Sequence, residues 1–266
     1  MGLDVSHTNL REPLAATGTR TIDSAPDSAA GGPARVRVVV LLAARDEAAR
    51  IAATLAGVRA AFPGAAVWVA DDGSRDATAR IAGASGALVV RSPRHVGKGG
   101  AMTAAARAAL AHERRDARGG GGARAVFVLC DADLAASARE LAPLADAVAG
   151  GRADVAVAAF ARRLGGGLGV ALGFARWAVR RRCGVRLRAP ISGQRALSAD
   201  ALAQALPFAE GFGMELGMTL DVLRAGRRVL ELELELEHRA SGRTPAGFAH
   251  RARQLADFVR AYAARA

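Results

Sequence analysis

Residues 126–134 read Val-Phe-Val-Leu-Cys-Asp-Ala-Asp-Leu. A short apolar run of this kind reads as a strand buried on both faces, the habit of parallel sheets. It ends in Asp131-Ala132-Asp133. Side chains two apart on a strand share a face, so the strand reading sends both carboxylates to one spot at its carboxyl end. Two hard oxygen ligands there suit a Mg2+ or Mn2+ that also holds substrate phosphates. Short Asp-x-Asp triplets also cap helices, and the surrounding chain has to decide between the two.

Upstream, the same arrangement repeats. Residues 36–43 are a run of Val, Leu and Ala after one Arg, a buried strand, and 48–62 have helical periodicity. Asp46 and Glu47 stand where first-turn acids complement a helix dipole. A second strand, 66–70, runs into Asp71-Asp72-Gly73-Ser74. These residues can cap the next helix. Two adjacent acids before a glycine are also more charge than a cap needs, and ligands of open α/β sheets bind at strand carboxyl ends. A third strand covers 87–90. The loop Arg94-His95-Val96-Gly97-Lys98-Gly99-Gly100 then opens a helix over 101–112. Glycines before a helix start let backbone N–H groups approach an anion. The loop lacks the spacing and the Ser/Thr of a Walker A motif. It reads as a phosphate or sugar contact, or as a plain turn. A helix over 137–148 and a strand over 154–159 follow. Strands alternating with helices argue a mostly parallel sheet flanked by helices.

The second half changes character. Residues 170–182 form an apolar helix with Arg176, Arg180, Arg181 and Arg182 toward its end. It suits an anionic membrane surface, or a core helix whose solvated arginines face its C-terminal dipole. Residues 190–197 turn into a short strand, and Glu215 opens a helix that runs to 223. Over 228–237 Leu alternates with Glu, a half-buried strand near a sheet edge with the glutamates as a solvated face. His238 keeps the parity of the leucines and points inward, as a core residue or as a metal ligand. A basic loop and an amphipathic helix over 246–263 close the chain. Residues 1–34, polar and without periodicity, read as a disordered tail.

Composition narrows the classes. The chain has 266 residues and a formal net charge of +12; it is 51% hydrophobic, 23% charged and 4% aromatic. So few aromatics leave no stacking platform for single-stranded nucleic acid, and the basic excess points to phosphorylated substrates or a membrane surface. No apolar run reaches the length of a membrane span, and no signal peptide is visible. Two cysteines make no disulfide framework. A cytoplasmic, bacterial-type protein fits, with possible contact at the inner face of the plasma membrane. Lys98 is the sole lysine in a chain that otherwise uses Arg, which sets it apart.

Taken in order, Ala44-Arg45-Asp46-Glu47, Asp71-Asp-Gly-Ser74, His95-Val-Gly-Lys-Gly-Gly100, Asp131-Ala-Asp133, Ser192-Gly-Gln-Arg195, Gly213-Met-Glu215 and His238-Arg239 resemble the motif set of family-2 glycosyltransferases with the GT-A fold. The resemblance covers roughly residues 35–260. It is closest to the polyprenyl-phosphate (dolichol-phosphate mannose synthase-like) branch, while the Glu215 and His238 pieces resemble glucosyl-3-phosphoglycerate synthases. It implies one GT-A domain over 35–266, with a nucleotide-sugar half (35–160) and an acceptor half (161–266). On the donor side it implies Ala43, Glu47, Asp71, Asp72, Lys98, Gly99 and Asp131, with Arg239 and Arg243 clamping phosphates. Asp133 and His238 would hold Mg2+ or Mn2+. Ser192, Gln194, Arg195 and Glu215 would face the acceptor. Asp131, Asp133 and Glu215 would carry the chemistry, Glu215 being the candidate base if the acceptor is a hydroxyl. Three positions depart from the family pattern: Ala43 stands for the usual Pro, and Asp46 and His95 for the usual Asn. The expected activity is sugar transfer from a UDP- or GDP-sugar to a polyprenyl phosphate. The alternatives are a soluble acceptor such as phosphoglycerate, or nucleotide binding without turnover.

Overall fold

The computed structural model describes residues 36–118, 124–160, 169–236 and 245–265. The expected tail over 1–34, and His238, Arg239 and Arg243, lie outside the described residues.

Among the described residues seven strands form one sheet: β1 Val36–Ala44, β2 Ala66–Asp71, β3 Leu88–Arg91, β4 Arg124–Asp131, β5 Val155–Phe160, β6 Arg195–Ser198 and β7 Val229–Leu234. Their spatial order is β3-β2-β1-β4-β6-β5-β7. Pairing is parallel except on both sides of β6, which runs antiparallel to β4 and β5. The expected mostly parallel sheet is present, with this one reversed strand inserted between β4 and β5.

Among the described residues eight α-helices accompany the sheet: α1 Ile51–Ala61, α2 Thr78–Ala84, α3 Lys98–Arg118, α4 Ala142–Ala149, α5 Val170–Cys183, α6 Ala199–Gln204, α7 Met214–Arg224 and α8 Pro245–Ala263. Alternation along β1 divides the core. Val40, Leu42 and Ala44 face the layer built by Ile51, Leu55 and Val58 of α1 with Leu141 and Leu144. Val39 and Leu41 face α3, whose Ala101, Ala105, Ala106 and Ala109 bring that helix close to the sheet. Each fully buried Leu or Val contributes about 1.5–3 kcal/mol. A third cluster packs α5 on α7 and α8 through Val179, Leu216, Leu220 and Phe258. No described helix is long and apolar enough to cross a membrane.

Several local expectations change. The helix expected over 48–62 begins only at Ile51, so Asp46 and Glu47 precede its first turn. Asp46 has a positive φ of 53°, held because its amide donates to Ser74 Oγ at 3.0 Å and its Oδ1 accepts from Arg75 N at 2.8 Å. The helix expected over 137–148 is a 3-10 segment, Ala135–Leu141, followed by α4, with Pro143 in the first turn of α4. The helix expected from Ala101 already starts at Lys98 and runs to Arg118. On β7, Glu231 and Glu233 are more than a solvated face. Glu231 accepts from the amides of Arg188 (2.7 Å) and Ala189 (2.6 Å), and Glu233 pairs with Arg188. The edge strand thereby anchors the loop after α5.

Candidate active site

The carboxyl ends of β1, β2, β3 and β4 lie along one edge of the sheet: Ala43 is in register with Asp131, Ala44 with Asp71, and Asp71 with Arg91. The chain winds outward from β1 to β3 and then returns through α3 to β4, on the other side of β1. The change of direction leaves a crevice between β1 and β4, where open α/β sheets bind ligands.

Asp131 is the last residue of β4, and Asp133 sits in the turn beyond it. The expected strand over 126–134 is therefore too long. The turn after Asp131, rather than shared strand parity, sets where Asp133 lies. Asp131 accepts from Lys98 Nζ at 2.6 Å and from Gln194 Nε2 at 3.1 Å. Lys98 Nζ also donates to Glu215 Oε1 at 2.6 Å. A lysine of α3 thus ties a carboxylate of β4 to one of α7. Burial lowers the Lys98 pKa, but Asp131 and Glu215 outweigh it and raise it above its ordinary value.

Glycines make this approach possible. A Cβ on Gly193 would lie 2.6 Å from Asp131 Oδ2 and 3.2 Å from Lys98 Nζ. One on Gly99 would lie 1.8 Å from the carbonyl oxygen of Ala209, a backbone atom that cannot swing away. Gly99 is thus needed for packing of the helix start against the chain before α7.

Ser192, Gln194 and Arg195 were expected at the acceptor. Ser192 Oγ donates to Gln194 Oε1 at 3.3 Å, and Gln194 in turn reaches Asp131. Arg195 is different: it is 1% exposed. Its guanidinium donates to the carbonyls of Ser192 (2.6 Å) and Pro190 (2.8 Å) and to Thr219 Oγ1 (2.8 Å). Burial drives its pKa down to about 10. This arginine holds the loop that carries Ser192 and Gln194.

Asp71 and Asp72 are both buried and both engaged. Asp71 accepts from Ser74 Oγ and from Ser74 N, and pairs with Arg91 Nε at 3.1 Å. Asp72 pairs with His95 Nδ1 at 2.6 Å and accepts from Val96 N at 2.7 Å. His95 takes up Asp72 at the position where the family usually has Asn. At β1, the carbonyl of Ala43 accepts from Ala132 N at 3.1 Å and that of Ala44 from Asp72 N at 3.0 Å. Glu47 donates its amide to Thr78 Oγ1 at 2.8 Å, and its carboxylate pairs with Arg50. These links between the first and second strand ends were invisible in the sequence, since each joins residues about thirty positions apart.

Asp133 has an unsatisfied carboxylate oxygen. Its Oδ1 is buried and has no hydrogen-bond partner among the described residues. A shielded carboxylate oxygen without a donor is costly, and a hard divalent cation satisfies it. The three carboxylates Asp131, Asp133 and Glu215 against the one ammonium of Lys98 leave two formal negative charges, the complement of one such cation. The residues present fit a divalent metal. Among the described residues no cluster of three metal-ligating side chains occurs.

The chain is thus an open α/β sheet with an acidic crevice at its switch point and a Gly-Lys-Gly helix start beside it. Residues 39–182 match the model of glycosyl transferase family 2, so the chain belongs to that family and is a glycosyltransferase. Solved structures of glucosyl-3-phosphoglycerate synthase from Mycobacterium tuberculosis share the fold, GT-A. The complex with Mn2+, UDP and phosphoglyceric acid superposes with a TM-score of 0.65 at 24% identity, covering 86% of this chain and 78% of that one. The complex with Mn2+, UDP-glucose and phosphoglyceric acid gives 0.64 at 24%, covering 86% and 79%. The complex with Mg2+ and UDP gives 0.64 at 25%, covering 86% and 79%. Comparison with curated protein sequences gives no match.

Proposed function

We propose that this glycosyltransferase moves a sugar from a nucleoside diphosphate sugar, with Mg2+ or Mn2+, to the hydroxyl of a small phosphorylated acceptor. The observation that carries the reading is the bridge from Asp131 through Lys98 to Glu215, which joins the end of β4 to the starts of α3 and α7 at one point. The similar synthases bind UDP, UDP-glucose and phosphoglyceric acid. They support the small acceptor over the polyprenyl phosphate that the sequence resemblance favours.

In this reading Asp133 would hold the cation, which when bound would supply positive charge for the leaving diphosphate. Asp131 orients the sugar or ribose from the end of β4, and Gln194 donates to its Oδ2. Lys98 closes over the nucleotide from the start of α3. Glu215, at the start of α7, takes the proton from the acceptor hydroxyl in a displacement that requires a base. Asp72 keeps the His95–Gly100 loop in place against the nucleoside side of the crevice.

The test is release of nucleoside diphosphate from UDP- and GDP-sugars with Mg2+ or Mn2+, with and without 3-phosphoglycerate, glycerol 3-phosphate or a polyprenyl phosphate. Acceleration by a small phosphorylated acceptor is the expected result. Acceleration by the polyprenyl phosphate alone would overturn the acceptor assignment, and no metal-dependent release or binding across the panel would leave only a non-catalytic role.

A further inference from the structure

Asp133 lies on a short turn, and a residue far away in the chain fixes the shape of that turn. β4 ends at Asp131, and residues 132–134 lead into the 3-10 segment Ala135–Leu141. Thr54 of α1, 78 positions before Ala132, donates its hydroxyl to the carbonyl of Ala132 at 2.6 Å. The same Oγ1 accepts from Ala135 N at 3.0 Å. One hydroxyl therefore brackets Asp133 on both sides, as donor and as acceptor. Thr54 is 0% exposed, so water does not stand in for either bond.

The arrangement is unlike that of the other buried helical threonines. A threonine inside a helix often returns its hydroxyl to the carbonyl four residues back. Thr103 of α3 does so to Gly99 O at 2.7 Å, and Thr219 of α7 to Glu215 O at 2.8 Å. Thr54 directs its hydroxyl to the turn after β4. It sits among Ile51, Leu55 and Val58, where a buried hydroxyl is costly unless bonded.

The turn needs this support. Ala135 has a positive φ of 47°, a backbone state that a residue with a Cβ keeps only where its surroundings over-determine it. Gly57, three positions after Thr54 and on the same face of α1, brings the helix backbone close: a Cβ there would lie 2.9 Å from Ala135 O and 3.2 Å from Ala138 Cβ. On the strand side, Ala132 N donates to Ala43 O at 3.1 Å. Ser137 Oγ closes the far end of the turn on Leu134 O at 2.7 Å.

We propose that Thr54 is a positioning residue: its hydroxyl holds the turn in the shape that presents the Asp133 carboxylate to the cation. The inference rests on the reading that Asp133 holds that cation. Groups that orient a metal ligand from behind typically contribute about 10–100-fold in metal affinity.

The probe is Mn2+ in the presence of UDP, followed by electron paramagnetic resonance on the full chain. Thr54→Val removes the hydroxyl at nearly constant volume, Thr54→Ser keeps it, and Val58→Ala opens the same buried face of α1 without touching the turn. Thr54→Val is expected to weaken Mn2+ binding by about tenfold or more. Thr54→Ser should restore most of that affinity, and Val58→Ala should lower the melting temperature with Mn2+ affinity unchanged. In the metal-free chain the Ala135 amide should exchange slowly in wild type and about tenfold or more faster in Thr54→Val. A fast Ala135 amide in wild type would overturn the bracket without recourse to any variant. Unchanged Mn2+ affinity in Thr54→Val, where Asp133→Asn abolishes it, would overturn the role of Thr54 and leave the metal reading standing. Equal losses in Thr54→Val and Val58→Ala would also overturn it, by reducing Thr54 to general support of the fold. Mn2+ binding indifferent to Asp133→Asn would remove the metal reading itself, and this inference with it.

Discussion

Lys98 Nζ and Glu215 Oε1 lie 2.6 Å apart across 117 positions of sequence, and Asp131 takes the same ammonium at the same distance. Removing the lysine leaves two carboxylates facing one another. Lys98→Met is expected to destabilise the protein by about 1–3 kcal/mol and to abolish measurable turnover. In a double-mutant cycle with Glu215→Gln, urea denaturation should show a coupling of about 1 kcal/mol or more. Additive effects would mean that the contact does no thermodynamic work.

Because the two carboxylates raise the Lys98 pKa despite burial, the sign of its pH dependence is fixed. Its stabilising contribution is fully present below the unfolded lysine value of about 10.4 and is lost only as pH rises through the higher folded value. Lys98 should therefore hold its proton up to at least about pH 10. Lys98 is the sole lysine, so an acylating reagent at about pH 8.5 should modify the chain's amino terminus fast and Lys98 slowly. Glu215→Gln should accelerate Lys98 labelling, and equal rates in both proteins would contradict the raised pKa.

Asp133→Asn separates binding from folding. The Asp133 oxygen without a partner among the described residues means that the substitution should cost less than about 0.5 kcal/mol of stability. Mn2+ binding, followed by electron paramagnetic resonance in the presence of UDP, should be lost. Retained Mn2+ affinity would remove Asp133 from the metal site.

Glu215→Gln should lower kcat by about a hundredfold or more, the usual contribution of a general base, with a smaller change in donor KM. Near-full turnover would exclude Glu215 as the base.

Two glycines make a paired prediction. Gly99→Ala forces a methyl into the Ala209 carbonyl and should destabilise the fold by about 1–3 kcal/mol. Gly193→Ala presses on Asp131 and Lys98 instead, so activity should fall with less loss of stability. Thermal melts and kinetics on both variants separate the two effects.

The parts of this architecture written in local pattern were legible. The apolar runs gave β1 to β5, and the acids and glycines at their carboxyl ends marked the crevice. What stayed hidden was nonlocal. No periodicity states that Arg195–Ser198 inserts between two earlier strands in reverse, or that Arg195 turns inward to hold carbonyls. Charged residues in a motif read as ligand contacts, yet Asp71 and Asp72 also anchor Ser74, Arg91 and His95. Alternation identified the glutamate face of β7 but not the loop amides that it receives. His238, Arg239 and Arg243, and the tail over 1–34, fall outside the described residues.

The reversed strand β6 has a consequence for how the chain is made. During synthesis β4 and β5 emerge with no neighbour between them, because the residues that pair with both, 195–198, come later. Until then each presents an unpaired edge of apolar residues, a template for association with another chain. The family-matched segment 39–182 stops short of that strand. A fragment ending at residue 182 should therefore accumulate in inclusion bodies, whereas one extended past β7 carries the piece that seals the sheet.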